Sequence, residues 1–305
     1  MNLFPDPEEL TQSRQLVKGL SLHLSAARTP PQSGMHQGSD LGRGLEFEEL
    51  RAYIPGDDIR SIDWRVTARR GRAHTRVYRE EKERPIWLVP SLGASLFFGS
   101  RIQLKSVLAL RLTALLGWIG LEEGDRVGLL VDAPHLKDQP FWPARARTEQ
   151  WLAVLQQLSA LQPRSLPPET EPTLAISLQK LQPHIQSGSL VILIGDHVSI
   201  TTDCFSSLVS LRRRAAVILC NVYDPLERSG LPDGWFSIGR QDRPQQVHGA
   251  SSRKTWASAW NQRQQELQSF CSEHRIRLLD FSTSEDPAIT LSTHLGHRPL
   301  SRSYL

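Results

Sequence analysis

The chain has 305 residues, of which 39% are hydrophobic and 22% are charged, and its formal net charge is +4. These proportions are ordinary for a globular protein and exclude a disordered or fibrous chain. The positive excess lies within residues 69–84, which hold seven Arg or Lys and three Glu. The rest of the chain is balanced, so its overall charge does not predict a nucleic-acid-binding protein.

Cysteine usage is typical of a protein in a reducing compartment, and the hydropathy pattern predicts neither a signal peptide nor a membrane span. Cys204, Cys220 and Cys271 are widely spaced and form no C-x-x-C pair, so neither a zinc site nor a disulfide framework is expected. The first ten residues, MNLFPDPEEL, lack the basic and apolar regions of a signal peptide. The longest apolar stretch, residues 106–121, contains Arg111 and is too short to span a bilayer. We therefore expect a cytoplasmic protein with no membrane span.

The first eighty residues predict a helix followed by a β-rich segment. Apolar residues at helical spacing predict a helix over residues 7–26 with Asp6 as its N-cap. A Pro-, Gly- and Ser-rich loop follows. The residues LEFEELRAYI then favour a strand or extended arm, IPGDDIR a turn, SIDWRVTARR a short helical turn capped by Ser61, and AHTRVYREE a strand.

From residue 85 onward, short apolar runs alternate with helical segments. Such runs are typical of strands buried on both faces. The predicted strands are 85–91, 124–132, 189–196, 215–224 and 276–283, and the predicted helices are 101–121, 146–161, 173–185, 202–214 and 251–274. The PFWP segment predicts a hairpin or an edge strand, because proline fits poorly in a central strand, and residues 234–249 predict a small hairpin.

This alternation predicts an α/β fold with a mostly parallel sheet covered by helices on both faces. Ligands of such sheets bind at the carboxyl ends of the strands. Here those ends carry residues 91–95, Asp132, Asp196 and Asp224.

Common catalytic and nucleotide-binding motifs are missing from the sequence. It contains no G-x-G-x-x-G after a strand, no G-x-x-x-x-G-K-[ST], no G-x-S-x-G and no H-E-x-x-H. Ser95 has no base near it in the sequence. The motifs therefore do not predict a nucleotide-binding protein or a serine hydrolase.

Residues 42–83, GRGLEFEELRAYIPGDDIRSIDWRVTARRGRAHTRVYREEKE, resemble the signature of the bacterial family called "domain of unknown function 58". The segment NVYDPLERSGLPDGWFSI resembles the same family, and the likeness covers roughly residues 15–285. It implies a von Willebrand factor A-like α/β domain with the signature as a β-rich addition. The most distinctive signature residues are Arg51, Tyr53, Gly56, Asp57, Asp58, Arg60, Asp63, Trp64 and Arg69.

The resemblance also implies a partner and a possible metal site. Members are commonly encoded beside AAA+ ATPases of the MoxR type, which implies an adaptor role without catalysis. Domains of this kind often hold Mg²⁺ through an Asp-x-Ser-x-Ser motif, a later Thr and a later Asp. In this chain the matching positions leave Ser95, Thr173 and Asp196, with Ser91 and Gly93 in place of the first two ligands.

One carboxylate with two hydroxyls is a weak set for Mg²⁺, which favours several carboxylate oxygens. A partner could supply another acid. The alternative is that Asp196 ends its strand and caps the following helix.

Two interpretations of the signature remain open. In the first, Tyr53 and Trp64 fill a small core, the turn aspartates cap backbone amides, and arginines pair with nearby acids. In the second, the same charges face a partner. The Arg-rich edge either meets an acidic partner or is a solvated strand face; it consists of Arg69, Arg70, Arg72, Arg76 and Arg79.

The sequence thus predicts an N-terminal helix and loop (1–40), a signature subdomain (41–84), an α/β domain (85–285) and a tail (286–305). We expect a non-enzymatic adaptor that works with a MoxR-type ATPase or its client, with no cofactor. One alternative is a metal-dependent hydrolase built on Asp57, Asp58 and Asp63. The other is a basic nucleic-acid-binding protein.

Overall fold

The computed structural model describes residues 3–22, 45–54, 59–80, 83–162, 165, 173–240 and 243–296. These residues form two units. The signature unit consists of the described residues between 45 and 83, and the α/β unit consists of residues 3–22 and those from 84 onward. Gly56, Asp57 and Asp58 lie outside the described residues.

The strands are β1 (Leu45–Ala52), β2 (His74–Glu80), β3 (Pro85–Pro90), β4 (Arg126–Leu130), β5 (Phe141–Arg145), β6 (Ser189–Gly195), β7 (Ala215–Tyr223), β8 (Trp235–Arg240), β9 (Arg243–His248) and β10 (Arg277–Ser282). The helices are α1 (Pro7–Gln12), α2 (Trp64–Arg70), α3 (Lys105–Glu122), α4 (Thr148–Ala160), α5 (Leu174–Leu181), α6 (Thr202–Arg212), α7 (Pro225–Ser229), α8 (Gly249–Glu273) and α9 (Pro287–His294). The predicted strands and hairpin from residue 85 onward are all present.

The α/β unit is organised around a six-stranded sheet in the order β10-β7-β6-β3-β4-β5. The first five strands in this order are parallel, and β5 is antiparallel to β4 at one edge. Strand β5 contains Pro143, in agreement with the edge position that the PFWP segment predicts. The predicted class, α/β with a mostly parallel sheet, is confirmed.

The sheet separates two hydrophobic cores. Successive side chains of a strand point to opposite faces, so Ile86 and Leu88 of β3 enter one core and Trp87 and Val89 enter the other. The first core also holds residues of α1, α3, α4 and α9, and the second holds residues of α5, α6 and α8. The predicted covering of both faces by helices is thus present.

Helix α3 is buried along nearly its whole length. Arg111, which interrupts its apolar sequence, donates hydrogen bonds to Gln103 and Glu9. Those partners let one charge lie among apolar residues. Among the residues that the structure describes, no helix is both long and apolar enough to cross a membrane.

Both ends of the chain differ from the predicted boundaries. Residues 3–22, expected in a separate segment, pack on the α/β core, with Leu10 and Val17 fully buried. The predicted N-terminal helix is also shorter, because α1 ends at Gln12 and a 3-10 turn follows. Beyond residue 285, the expected tail contains α9, which Asp286 caps through the amides of Ala288 and Ile289.

In the signature unit, β1 and β2 pair as an antiparallel ribbon with an irregularity between Phe47 and Glu49. Helix α2 begins after Asp63, whose carboxylate accepts the amides of Arg65 and Val66. The prediction that Ser61 provides this cap is wrong. Helix α2 ends at Arg70, and Gly71 is its C-cap, with a φ of 68° that glycine readily adopts.

Candidate functional site at the carboxyl edge of the sheet

The central strand β3 has β4 on one side and β6 on the other. The chain passes from β3 to β4 and later crosses back to β6, so the strand order reverses between β3 and β6. In open α/β sheets this switch point is where ligands bind, at the carboxyl ends of the strands. The loops after β3 and β6 carry Ser95 and Asp196, and the Ser95 hydroxyl donates to Asp196 Oδ1 at 3.1 Å.

A buried lysine lies at this point. Lys105, the first residue of α3, has a side chain that is 1% exposed. Its ammonium lies 2.6 Å from Asp196 Oδ2 and 2.6 Å from Glu227 Oε1. Burying an ammonium is costly unless anions surround it, and here one carboxylate follows β6 and the other lies on α7.

The two opposite charges control each other's protonation. Burial acts to raise the pKa of Asp196, but the Lys105 charge and hydrogen bonds from Lys105 and Ser199 outweigh it and lower that pKa. Burial likewise acts to lower the pKa of Lys105, and the Asp196 and Glu227 charges outweigh it and raise that pKa. Both groups are therefore charged at neutral pH.

The other oxygen of each acid is held by uncharged donors. Asp196 Oδ1 accepts the amides of Val198 and Ser199 at 3.2 and 2.9 Å. Glu227 Oε2 accepts the amide of Asp224 at 2.8 Å, and Asp224 caps α7 in return, which completes a capping box. Both carboxylates are thereby fixed in orientation with one oxygen directed at Lys105.

Asp224, at the end of β7, is bonded in the same way. It accepts the amide and hydroxyl of Ser100 at 2.8 and 2.5 Å and the hydroxyl of Thr283 at 2.5 Å. Burial acts to raise the pKa of Asp224, but these donors outweigh it and lower the pKa. The bonds join the loop after β3 to the ends of β7 and β10.

Asp132, after β4, gathers a separate set of hydroxyl donors. Ser91 donates to its Oδ2 at 2.9 Å, and Thr173 and Ser177 donate to its Oδ1 at 2.5 and 2.7 Å. Gln139 adds a longer contact of 3.4 Å. Asp132 is 1% exposed, and uncharged donors surround its carboxylate.

The predicted metal residues are thus divided between two clusters. Ser95 and Asp196 are bonded to each other, whereas Thr173 donates to Asp132. The set does not fit the Mg²⁺ that the resemblance implies, because both oxygens of Asp196 already have partners. Its Oδ2 contacts the Lys105 ammonium, and its Oδ1 accepts hydrogen bonds from the protein. In the described part of the chain, no group of three His, Cys, Asp or Glu is arranged to hold a metal ion.

The signature residues show a different picture from the expected small core. Trp64 is 66% exposed, which contradicts the interpretation in which it fills a small core. Tyr53 is half-buried, and its amide donates to Ala73. Asp63 is the N-cap of α2, which gives it a structural role. Arg69 is exposed in the last turn of α2, where a cation is favourable beside free carbonyls.

Lys105 and Glu227 are the members of this site that sequence reasoning missed. Glu227 carries a local signal, because D-P-L-E is the pattern of a capping box. Lys105 stands at the start of a helix, where the helix dipole disfavours a cation, and that mismatch is the one sequence hint of a buried partner. Asp132 and Asp224 were placed at this edge, but their bonding partners were not predicted.

The fold and this edge define the class of protein: a three-layer α/β protein in which the acids at the carboxyl edge are paired with a lysine of the same chain or accept hydrogen bonds from uncharged donors. The chain belongs to the family described as "Protein of unknown function DUF58", whose model matches residues 49–264. That family identification agrees with the resemblance of the signature segment.

Two relatives are the uncharacterized proteins Rv1480 of Mycobacterium tuberculosis and Mb1516 of Mycobacterium bovis. Each is 30% identical over 200 residues, which is 66% of this chain and 61% of the relative. The chain therefore matches less than two thirds of the length of these relatives.

Solved structures similar to this chain include the conserved hypothetical protein BatB from Bacteroides thetaiotaomicron, at 14% identity, 70% and 98% coverage of the two chains and a TM-score of 0.40. An aerotolerance-related membrane protein from Bacteroides fragilis gives 12%, 70%, 98% and 0.42 for the same measures. A von Willebrand factor type A protein from Catenulispora acidiphila gives 10%, 73%, 42% and 0.38.

Proposed function

We propose that this protein is a non-enzymatic adaptor that binds an AAA+ ATPase of the MoxR type, a client of that ATPase, or both. The proposal rests on one observation: apolar side chains are exposed on the two loops that flank the switch point. Phe98 and Ile102 follow β3 and are 38% and 49% exposed, and Val198 follows β6 and is 51% exposed.

The loops that carry Phe98 and Val198 are bonded to the buried charges. The Phe98 ring lies 5.9 Å from the Lys105 ammonium, and the Phe98 carbonyl accepts the amide of Lys105. Val198 is fixed through its amide, which donates to Asp196. Since Lys105 and Asp196 are themselves paired, both loops are anchored to one rigid point. Exposed apolar side chains on preorganised loops are suited to protein binding.

The same bonding favours binding over catalysis. Asp132, Asp196, Asp224 and Glu227 each accept hydrogen bonds from the protein. A general base or a metal ligand needs an oxygen that is free to meet the substrate or the ion. We therefore infer an interaction surface at the position where related folds bind ligands. The proposal places the protein in the cytoplasm, where an ATPase has access to ATP.

The experiment measures binding to the MoxR-type ATPase of the same organism by calorimetry. We expect Val198→Asp to weaken binding about tenfold or more, which corresponds to about 1.4 kcal/mol, because it places a charge in an apolar contact. The matched control is Ser187→Asp, which adds the same charge in the exposed turn before β6, at the opposite end of that strand. It should change the Kd less than twofold.

Two outcomes would count against the proposal. The first is that the wild-type protein does not bind the ATPase at tens of micromolar. The second is that the two charge variants weaken binding equally, since a general charge effect would then explain the result.

A further inference from the structure

The Lys105 ammonium lies between two carboxylates at the switch point. Asp196 Oδ2 and Glu227 Oε1 both face Lys105 Nζ at 2.6 Å. We propose that Lys105 is a built-in cation that takes the place of a divalent ion at the switch point, so that this edge of the sheet is held together without metal. This inference does not depend on the identity of the partner.

The first argument is the cost of the arrangement. Lys105 occupies the first turn of an 18-residue helix, where the helix dipole opposes a cation. Its side chain is also almost completely removed from water. A lysine at this position would ordinarily extend into solvent. Its burial therefore requires the two carboxylates, and the orientation of each carboxylate is fixed by other donors.

The second argument is that the lysine joins the elements that a metal would join. Through Asp196 it holds the loop after β6, through Glu227 it holds α7 beyond β7, and through its own backbone it holds the loop after β3. A divalent ion at a switch point links neighbouring loops in the same manner, by binding oxygens from several of them. An ammonium with three donors achieves this with a fixed stem.

The third argument concerns the residues that replace the expected ligands. Ser91 stands where the first acid of the metal motif would be, and its hydroxyl donates to Asp132. Gly93 stands at the next ligand position and offers no side-chain oxygen. Both the absence of an acid at Ser91 and the presence of Lys105 make the local charge more positive. Each therefore lowers the need for a divalent cation at this edge. Repulsion between like charges keeps a divalent ion and an ammonium from sharing Asp196 Oδ2.

The test compares the wild-type chain with Lys105→Met, which keeps an unbranched stem but removes the charge. Manganese(II) is the probe, because the electron paramagnetic resonance signal of the free ion is lost on binding. We expect the tag-free wild-type protein to leave millimolar Mn²⁺ free. Lys105→Met exposes two carboxylates to one cavity, and we expect it to bind one equivalent at least about tenfold more tightly than the wild type.

The matched control is the double variant Lys105→Met/Asp196→Asn, which removes the acid as well. It should lose the Mn²⁺ binding that Lys105→Met gains. In thermal melts, millimolar Mn²⁺ should raise the Tm of Lys105→Met by about 2–4 °C and leave the wild type and the double variant within about 1 °C.

Three results would overturn the proposal. One is stoichiometric Mn²⁺ binding by the wild type that Asp196→Asn abolishes. Another is a folded Lys105→Met that binds no Mn²⁺. If Lys105→Met is unfolded without metal, the proposal requires that Mn²⁺ restore cooperative melting in this variant and not in the double variant, so the absence of this rescue is the third.

Discussion

Gly117 of α3 lies against the Trp151 ring of α4 so closely that a Cβ atom on Gly117 would be 2.0 Å from Trp151 Cζ2. At this contact between α3 and α4 there is space for the hydrogen atom of a glycine but not for a methyl group. Because Trp151 is 3% exposed and packed in the core, its ring has little space into which it could move.

We expect Gly117→Ala to lower the free energy of unfolding by about 1–3 kcal/mol, the usual cost of overpacking a core. This sign is opposite to helix propensity, which favours alanine over glycine by about 1 kcal/mol. Urea denaturation provides the measurement. Gly93→Ala is the control, since its Cβ would meet nothing nearer than 3.9 Å, and it should change stability by less than about 0.5 kcal/mol. Greater stability of the Gly117 variant would contradict this packing.

The second prediction concerns stability at acid and alkaline pH. The pKa values of Asp196 and Asp224 are lower in the folded chain, where burial opposes the shift and the Lys105 charge and the hydroxyl donors drive it. A carboxyl group whose pKa is lowered by folding stabilises the fold at pH values above the pKa that the group has in the unfolded chain. That stability is lost as pH falls through the folded value, so the Tm should drop below about pH 4.

On the alkaline side, the pKa of Lys105 is higher in the folded chain, because the carboxylate charges outweigh burial. Its contribution is complete below the ordinary lysine pKa and is lost as pH rises beyond it, so the Tm should also fall above about pH 10.5. Melts in about 0.5 M NaCl should retain both losses, since buried pairs are poorly screened. A Tm that is constant from about pH 3 to 11 would contradict the buried pair.

The third prediction tests the structural role of Asp63. Replacing it with alanine removes the acceptor for the Arg65 and Val66 amides and should cost about 1 kcal/mol of local stability. In hydrogen exchange, those amides should then exchange about fivefold faster. Asp63→Asn keeps an acceptor oxygen and serves as the control, with nearly wild-type exchange. Equal effects of the two variants would indicate that the charge itself is required, as the hydrolase alternative demands.

The fourth prediction concerns the thiols. All three cysteines are buried. Burial raises the pKa of Cys204 and Cys220, and burial together with the Asp280 charge raises the pKa of Cys271 to about 11. Since the thiolate is the reactive form, a disulfide reagent at pH 8 should react with the folded protein about 100-fold or more slowly than with free cysteine. All three should react rapidly in guanidinium, and a fast-reacting thiol in the folded chain would contradict the described burial.

The central strands of the six-stranded sheet could be predicted because β3, β4, β6 and β7 are nearly continuous apolar runs that are buried on both faces. The last helix could not be identified in the same way, since α9 is short and its apolar face is weak. Its local signals were nevertheless present, in Asp286 as N-cap and Pro287 at the first helical position.

The Lys105 cluster shows why the site was harder to predict than the fold. Lys105 and Asp196 are 91 residues apart, and Lys105 and Glu227 are 122 apart. The mismatch of a lysine with the start of a helix is a weak local hint of a buried partner. It does not identify Asp196 and Glu227, because their positions depend on where β6 and β7 end in the sheet. Trp64 gave the opposite error: its large apolar side chain suggests burial, but α2 leaves it exposed.

Strand β5 restricts how a partner can dock. It lies at an edge of the six-stranded sheet, has five residues and contains Pro143. A peptide that binds by β-augmentation needs a row of free backbone amides and carbonyls, and a short edge strand that lacks one N–H is a poor template for such pairing. Recognition along this side would therefore depend on side chains, which also protects the sheet from edge-to-edge aggregation.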